Sequence, residues 1–421
     1  MTSEGIGDEA YVWCWLPGVE APVVAGRVEA VGNLITFNYG QSYLRRKEAI
    51  SLYEPELPLR AGELEPPPGM RMAGCIADGA PDAWGRRVIM HRLLGAGAED
   101  PDELSTMTYL LTSGSDRIGA LDFQASAEVY AGRGTTAAPL EELLQAVERF
   151  EAGEPFSPAL DRALLHGSSV GGARPKALMQ DCDRKLIAKF SSSTDSYPVV
   201  KGEYVAMQLA RHVGLDAAAV RITRALGKDV LLVDRFDRTP GTGLRHAIVS
   251  ALTILELDEM LGRYASYADL AQIVRERFTR PRPTLHELFA RITFNVLVGN
   301  TDDHARNHAA FWDGRMLSLT PAYDICPQGR AGGEATQAMQ IGPEGFNKSQ
   351  LDGCIRAAPT YHLSLEEARA IVDHQIDVIR NTWREVCEQA SMTQAERRLF
   401  AGRAVFSPYA FYGYLPAAPQ L

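Results

Sequence analysis

A continuous apolar segment from Leu285 to Asn300 constrains the fold of this chain more than any other feature. Its sequence, LHELFARITFNVLVGN, is apolar on nearly all sides, and a helix of that kind has to be buried inside a domain. The chain has 421 residues, of which 46% are hydrophobic, enough for two domains and a substantial core. We therefore predict a large helical domain around this segment.

The patterns before and after this helix divide the chain into three parts. Short alternating runs broken by Gly, Pro and Asn predict strands from residue 11 to about 60. Strand-like runs return at 176–190 and 220–238, on either side of a helical pattern, and helices dominate beyond about residue 245. The expected class is α+β, with a small β-rich N-terminal domain at 1–137, a second β-rich lobe at 138–240 and a helical lobe at 241–421.

Two local signals refine the helical parts. Pro139 begins an amphipathic helix whose apolar residues recur at three- and four-residue steps, and Gly153 ends it. Ser364 and Glu367 form a capping box that predicts a helix from there to about Glu388.

Composition disfavours several classes of protein. The formal net charge is −10 and there is no long basic tract, which disfavours autonomous binding of nucleic acid. Six cysteines without any C-x-x-C pair suggest reduced thiols rather than a disulfide framework or a zinc site. The N-terminus is acidic and the longest apolar stretches are too short to cross a bilayer, so we expect a cytoplasmic protein without a membrane partner.

The segment after the apolar helix carries the most informative pattern. Asp302 and Asn307 are five residues apart, the D-x-x-x-x-N spacing of a kinase catalytic loop. Asp313-Gly314 then predicts a hairpin that returns Asp324 to the neighbourhood of Asn307. One amide and one carboxylate oxygen would thus converge on Mg²⁺ at the triphosphate of ATP, while Asp302 orients the attacking hydroxyl.

A simpler interpretation of the same residues stays open. Asp302 and Asp303 could cap the end of the apolar helix, and Asp-Gly turns occur in many hairpins. The agreement of several local signals over one segment favours the kinase interpretation.

A second candidate site lies between Gly167 and Lys176, in the sequence GSSVGGARPK. It lacks the ending of a Walker A loop, so a P-loop NTPase is the wrong class. Its backbone N–H groups could face phosphate oxygens, or it could be a surface loop before a strand. Lys189, within an apolar strand, needs a partner such as a phosphate or Glu203, unless it points to solvent.

Several of these segments together resemble one family. The strings GSSVGGARPK, LIAKF, LLVDRFDR, NTDDHARNHAAF and PAYDICP follow the order found in the HipA family of toxin kinases. ADGAPDAWGRR and GALDF are similar to the small N-terminal domain of that family, so the resemblance covers essentially the whole chain. It implies a bilobal protein-kinase-like core, and a serine/threonine kinase that uses ATP and Mg²⁺.

The resemblance also implies roles for particular residues. Asp302 would be the catalytic aspartate, Asn307 and Asp324 would hold Mg²⁺, and Lys189 would contact the ATP phosphates. The other residues that it places at the nucleotide are Ser169, Val170, Gly171 and Gly172 of the loop, Asp234 and Phe236 at the adenine hinge, and His304. His304 could equally be a loop histidine with local hydrogen bonds.

Regulation and partners follow from the resemblance alone. Ser169 aligns with a loop serine that family members autophosphorylate to switch themselves off, and Ser168 is the adjacent alternative. The implied partner is a helix-turn-helix, HipB-like antitoxin, with DNA contacted only through that complex. The arginines of a Pro-containing stretch predicted as a loop, Arg275, Arg277, Arg280 and Arg282, could approach DNA there or simply face solvent. The implied substrate is a translation factor such as an aminoacyl-tRNA synthetase.

Two departures and two alternatives remain. Asp303 stands where some family members carry glycine, and Arg174-Pro175 replaces other residues of the loop. The chain could be an antitoxin-associated corepressor with weak or silent kinase activity, but the intact catalytic and metal-binding residues favour an active enzyme. It could also be a small-molecule phosphotransferase, against which the N-terminal domain and the serine-bearing loop argue.

Overall fold

The computed structural model describes residues 7–95, 98, 100–133, 138–154, 174–192, 194–329 and 333–421. Helices and sheets are mixed along these residues, which confirms the predicted α+β class. The chain forms two compact units. The strand unit comprises residues 1–193, 224–249 and 311–315, and the helical unit comprises residues 194–223, 250–310 and 316–421. The division into parts at 1–137, 138–240 and 241–421 stays a prediction.

A five-stranded sheet forms the first part of the strand unit. Its strands are β1 (Glu9–Cys14), β2 (Val23–Val31), β3 (Leu34–Tyr39), β4 (Glu63–Leu64) and β5 (Leu121–Gln124). They lie in the order β4-β3-β2-β1-β5, and all four pairs are antiparallel. The helices of this region are α1 (Gln41–Leu44), α2 (Gly74–Ala77), α3 (Ala83–Leu94) and α4 (Thr106–Thr112). This sheet is the small N-terminal domain that the alternating runs predicted.

A four-stranded sheet follows, and α5 (Leu140–Glu151) precedes it. Its strands are β6 (Lys176–Asp181), β7 (Arg184–Phe190), β8 (Val220–Ala225) and β9 (Lys228–Asp234), in the order β6-β7-β9-β8. Leu186, Ala188 and Phe190 alternate along β7 and are buried in a core that includes Trp84 and Val147. Because side chains alternate across a strand, Lys189 lies on the opposite face from this core.

The helical unit is built around the apolar segment. Its helices are α6 (Val199–His212), α7 (Ala251–Ile254), α8 (Tyr267–Arg277), α9 (Pro281–Val298), α10 (Leu351–Ala357), α11 (Leu365–Gln389) and α12 (Gln394–Phe400). Helix α9 contains the predicted buried helix, and its Phe289, Phe294 and Leu297 are fully buried. Both bonds of the capping box at α11 are present, since Ser364 N–H donates to Glu367 at 2.8 Å and Glu367 N–H donates to Ser364 Oγ at 3.1 Å.

The end of α9 determines where the next segment begins. Gly299 adopts a left-handed conformation with φ of 71° at the helix C-cap. A Cβ at this position would lie 2.5 Å from the carbonyl oxygen of Ala404, so any side chain here would force the backbone to move. A short sheet of β10 (Ile248–Ser250), β11 (Ala309–Trp312) and β12 (Leu317–Leu319) follows the order β10-β11-β12.

The arginine-containing stretch is not the loop that the sequence predicted. Arg275 and Arg277 lie in the last turn of α8, Arg280 is the N-cap of α9, and Arg282 lies inside α9. The prolines misled the prediction, because a proline in the first turn of a helix removes only an N–H group that has no helical partner. In the part of the chain that the structure describes, no helix has the length and apolar character to cross a membrane.

Candidate active site

The segment that follows α9 folds back on itself through its own hydrogen bonds. His304 N–H donates to the carbonyl of Asp302 at 3.0 Å, and Asn307 N–H donates to the carbonyl of His304 at 2.8 Å. The Asn307 side chain is buried and its Nδ2 donates to the same Asp302 carbonyl at 2.9 Å. Since this bond uses the amino end of the amide, Oδ1 points away from the Asp302 carbonyl and can act as an acceptor.

Asp324 is held against this segment by bonds on both sides of it. The Tyr323 hydroxyl donates to the carbonyl of Arg306 at 2.7 Å, and Gln328 N–H donates to the carbonyl of Gly299 at 3.0 Å. Asp324 itself has φ of 59°, a left-handed conformation that is uncommon for residues other than glycine. Backbone strain of this kind persists where the surroundings impose it, and such places are often functional.

The charges of these residues indicate what they could bind. Partial burial raises the pKa of Asp302, the charges of Asp324 and Asp303 raise it further, and His304 opposes the rise. Two carboxylates that repel each other next to an amide oxygen are the hard oxygen donors that suit Mg²⁺, which needs few protein ligands. Within the described ranges, no three His, Cys, Asp or Glu side chains gather as a larger metal centre would require.

A buried triad that the sequence did not reveal supports this segment. Asp303 is only 2% exposed, and it accepts a hydrogen bond from the Tyr267 hydroxyl and another from His308 Nε2 at 2.8 Å. Tyr267 Oη also lies 2.9 Å from His308 Nε2, so an Nε2–H of His308 is shared between the Asp303 carboxylate and the Tyr267 oxygen. Burial alone would raise the pKa of Asp303, but His308 and the hydrogen bonds hold it below its usual value.

The sequence contains a signal that could have identified part of this triad. Asp303 and His308 repeat, one residue later, the five-residue spacing of Asp302 and Asn307. Asp302 and Asn307 thus belong to the candidate site, and Asp303 and His308 anchor the same loop. The carboxylate at 303, which departs from the glycine of some family members, is therefore an internal support.

Lys189 lies in the strand unit, on β7, and is half-buried. It pairs across the sheet with Lys176 on β6, which is 3% exposed and has Asp82 3.9 Å from its ammonium group. Like charges directly opposite one another destabilise an antiparallel pair, and an anion near them offsets that repulsion. Two opposed lysines therefore suit the binding of a polyphosphate. Lys176 is a second candidate for phosphate binding, and the sequence alone assigned it no role.

The remaining predicted residues fall in different places. Asp234 lies opposite Leu186 at the end of β9 and pairs with Arg184 at 3.3 Å, and the Phe236 ring meets the Phe311 ring edge-on at 6.0 Å. The helical unit thus brings together Asp302, His304, Asn307 and Asp324, whereas Lys189, Asp234 and Phe236 belong to the strand unit. The loop residues Ser168, Ser169, Val170, Gly171 and Gly172 lie outside the described residues.

Comparison with known families gives two matches. The family model described as the HipA-like C-terminal domain matches residues 168–391, more than half of the chain. The model described as the HipA N-terminal domain matches residues 21–124. Together the matches include four of the five strands of the first sheet, β2 to β5, the whole four-stranded sheet and the segment that carries Asp302.

Individual relatives agree with these matches. A Sinorhizobium fredii protein named as a candidate kinase, Y4mE, is 30% identical over 33% of this chain and 33% of its own length. The serine/threonine-protein kinase toxin HipA of Shewanella oneidensis is 27% identical over 37% of this chain, and the match covers 42% of that protein. The chain therefore matches only a third to about two-fifths of the length of these two curated relatives.

A solved structure shows the same fold. Shewanella oneidensis HipA, solved in a complex with HipB and its operator DNA, superposes with a TM-score of 0.68 over 93% of this chain and 94% of that one, at 17% identity. At an identity this low, the superposition shows a shared fold and nothing more. With both of its domains matched by family models and its fold shared with a solved member, this chain belongs to the HipA family.

Proposed function

We propose that this chain is an ATP-dependent serine/threonine protein kinase of the toxin type, which transfers the γ-phosphate of ATP to a protein hydroxyl. The observation that carries the proposal is the arrangement of Asp302, Asn307 and Asp324 around one hydrogen-bonded loop of the helical unit. Related proteins whose names describe kinases support it.

Each of these residues has a defined part in the proposed reaction. Asp302 orients the acceptor hydroxyl and takes its proton as the oxygen bonds to the γ-phosphorus and the bond to ADP breaks. A raised pKa makes its carboxylate a stronger base than an ordinary aspartate. Asn307 Oδ1 and the Asp324 carboxylate would hold Mg²⁺, which neutralises charge that develops on the phosphates.

Nucleotide binding is assigned to the strand unit. Lys189 contacts the ATP phosphates, and its pairing with Lys176 supports a strongly anionic ligand at this position. Ser169, Val170, Gly171 and Gly172 cover the phosphates, while Asp234 and Phe236 contact the adenine. His304, which lies beside the catalytic loop, is proposed as a further nucleotide contact.

Control of the enzyme is proposed to have two layers. A helix-turn-helix antitoxin holds the kinase inactive in the cytoplasm and carries any contact with DNA, a proposal supported by the HipB complex of the Shewanella oneidensis protein. Autophosphorylation at Ser169, or at the adjacent Ser168, adds a charge of about −1.5 to −2 to the loop near the ATP phosphates, and the repulsion expels the loop so that the kinase binds ATP poorly. The active kinase phosphorylates a translation factor, such as an aminoacyl-tRNA synthetase, and arrests growth.

Transfer of labelled phosphate tests this proposal. Purified protein with Mg²⁺ and γ-labelled ATP should label itself and an acceptor, and phosphoamino-acid analysis should find phosphoserine or phosphothreonine. Asp302→Asn should keep nucleotide affinity but lose transfer by at least about 10²–10⁴-fold, because it removes the proton acceptor. Wild-type transfer by this variant would refute the assignment. Label on residues 168–169 would identify the regulatory serine.

A further inference from the structure

An exposed apolar turn stands between α7 and α8 in the helical unit. The 3-10 turn Glu259–Tyr264 leaves three large side chains in water: Met260 is 77% exposed, Leu261 42% and Tyr264 55%. Among the described residues, no other stretch of five contains three exposed large hydrophobic side chains. Single exposed apolar residues are ordinary, but a cluster of them marks an interaction surface. We call Met260, Leu261 and Tyr264 the 260–264 patch.

The turn is rigidly built rather than loosely attached. The Asp258 side chain caps it by accepting from Met260 N–H at 2.9 Å, and Ala265 N–H closes it by donating to the Gly262 carbonyl at 3.1 Å. Gly262 packs close to the buried Leu252, where an added Cβ would lie 3.4 Å from that side chain. A hydrogen-bonded turn thus holds the apolar side chains outward at little further cost in conformational entropy.

Three contacts attach this turn to the candidate catalytic loop. Before the turn, Ala251 N–H donates to the carbonyl of His308 at 2.7 Å. After the turn, the Tyr267 hydroxyl contacts His308 at 2.9 Å. Within the turn, Glu259 pairs with Arg306 at 3.3 Å. The 260–264 patch is therefore displayed directly beside the loop that carries Asp302 and Asn307.

The charge around the patch indicates the chemistry of its partner. Between residues 256 and 264 there are three carboxylates and one cation, Arg263, which lies over the Tyr264 ring at 5.0 Å. Because Glu259 pairs with Arg306, Glu256 and Asp258 are the carboxylates that leave the border with a net negative charge. Apolar side chains inside a negatively charged border are complementary to an apolar side chain flanked by lysine or arginine.

We propose that the 260–264 patch is the docking surface for the acceptor protein, which presents an apolar side chain with basic neighbours near the hydroxyl that is phosphorylated. This inference rests on the proposed kinase function and names the recognition element of the same site. The attachment of the turn to the catalytic loop favours the acceptor over an antitoxin or a second copy of this chain. Docking there would hold the acceptor hydroxyl near Asp302.

A peptide array tests the inference with a defined probe. Each peptide carries one serine, with randomised positions around it, and is incubated with the protein, Mg²⁺ and γ-labelled ATP. The wild type should select an apolar residue accompanied by lysine or arginine. The variant Met260→Ser/Leu261→Ser/Tyr264→Ser should lose that selection and raise KM for the selected peptide on the order of tenfold or more, while kcat and KM for ATP stay unchanged.

A matched control comes from the C-terminal segment, where Tyr412 is 75% and Leu415 37% exposed. The Tyr412→Ser/Leu415→Ser variant should select peptides as the wild type does. If the triple variant fails to fold, Met260→Ser alone changes the most exposed residue and should still raise KM for the selected peptide.

The outcomes separate this inference from the function on which it rests. Selection and KM unchanged in the triple variant, or a wild type that labels serine peptides without preference, would overturn the docking surface and leave the kinase intact. A triple variant that changes self-association in sedimentation but not KM would assign the patch to a second copy and overturn the inference too. No transfer to any peptide, together with no ATP hydrolysis, would overturn both proposals.

Discussion

Two aspartates, one in each unit, have opposite environments: Asp237 is buried and Asp302 is partly exposed. In the strand unit, Asp237 receives two bonds from Arg235, at 2.7 and 2.9 Å, one from Arg238 at 2.8 Å and one from Gly119 N–H at 2.8 Å. Burial would raise the pKa of Asp237, but the two guanidinium groups outweigh it and hold the pKa below its usual value. Both oxygens of this carboxylate therefore accept hydrogen bonds within the protein, one at Oδ1 and three at Oδ2.

Asp302 in the helical unit shows the reverse. Its pKa is raised by partial burial and by the charges of Asp324 and Asp303, against which His304 acts alone. A carboxylate whose charge is balanced by neighbouring cations stabilises the fold. A carboxylate that lies beside another carboxylate is instead stabilised when a cation binds. The comparison teaches that neighbouring cations balance the charge of Asp237, whereas neighbouring carboxylates oppose the charge of Asp302.

The largest expected effect is the loss of stability when Asp237 is changed. Asp237→Asn removes one of the two carboxylates that pair with buried Arg235 and Arg238, the other being Asp116, so the free energy of unfolding should fall by about 3 kcal/mol. Chemical denaturation measures this, with the exposed Asp183→Asn as a control that should change stability by less than about 0.5 kcal/mol. Because the pKa of Asp237 is lowered on folding, its contribution should be complete above about pH 4 and disappear as the pH falls further.

A loss of stability no larger than that of Asp183→Asn would contradict the structural role. So would a stability of the wild type that stays constant as the pH falls from neutral to strongly acidic conditions.

The next largest effect concerns the opposed lysines of the strand unit. Lys189→Ala should weaken ATP binding by about 1.5–3 kcal/mol, because it removes one charge-assisted hydrogen bond to a phosphate. Calorimetry with ATP and Mg²⁺ measures it, and Lys185→Ala is the matched control. Lys185 lies on the same face of β7, is half-buried like Lys189 and donates to Gln180 at 2.7 Å. Equal affinities in the two variants would remove the nucleotide role of Lys189.

A smaller effect is expected in the support of the catalytic loop. Tyr267→Phe removes one hydrogen bond to buried Asp303 and should cost about 1 kcal/mol of stability. It should also lower kcat without changing KM for ATP, since the loop that it positions acts on the transferred phosphate. Tyr412→Phe, at an exposed tyrosine of the C-terminal segment, is the control. A stability loss with unchanged kcat would mean that the triad does not position the loop.

These same residues show how much of the fold and of the candidate site can be predicted from the sequence alone. The buried helix α9, the capping box at Ser364 and the Asp302–Asn307 spacing are local patterns, and local patterns can be read from a sequence. Tyr267 and Asp303 are 36 residues apart, so no periodicity connects them. The opposition of Lys176 and Lys189 depends on the strand register, which becomes visible only when β6 and β7 are paired.

The smallest expected effect tests whether the pKa of Asp302 is shifted in the opposite direction to that of Asp237. Because the pKa of Asp302 is raised on folding, its ionisation destabilises the protein as the pH rises through that pKa. In Mg²⁺-free buffer at neutral pH, Asp302→Asn should therefore melt slightly above the wild type. The difference should vanish below about pH 4, where an ordinary aspartate is protonated in both states. A lower melting temperature of Asp302→Asn at neutral pH would mean that neighbouring groups balance the charge of Asp302, as they balance that of Asp237.

The most direct test of the account is the Mg²⁺ dependence of ATP binding in the wild type and in Asp324→Ala, measured by calorimetry. If Asp302, Asn307 and Asp324 form a cation-dependent phosphate site, Mg²⁺ should strengthen ATP binding by the wild type, and Asp324→Ala should lose most of that gain. The variant should bind ATP without Mg²⁺ at least as well as the wild type, since one repelling carboxylate is gone. An equal gain from Mg²⁺ in both proteins would contradict the account.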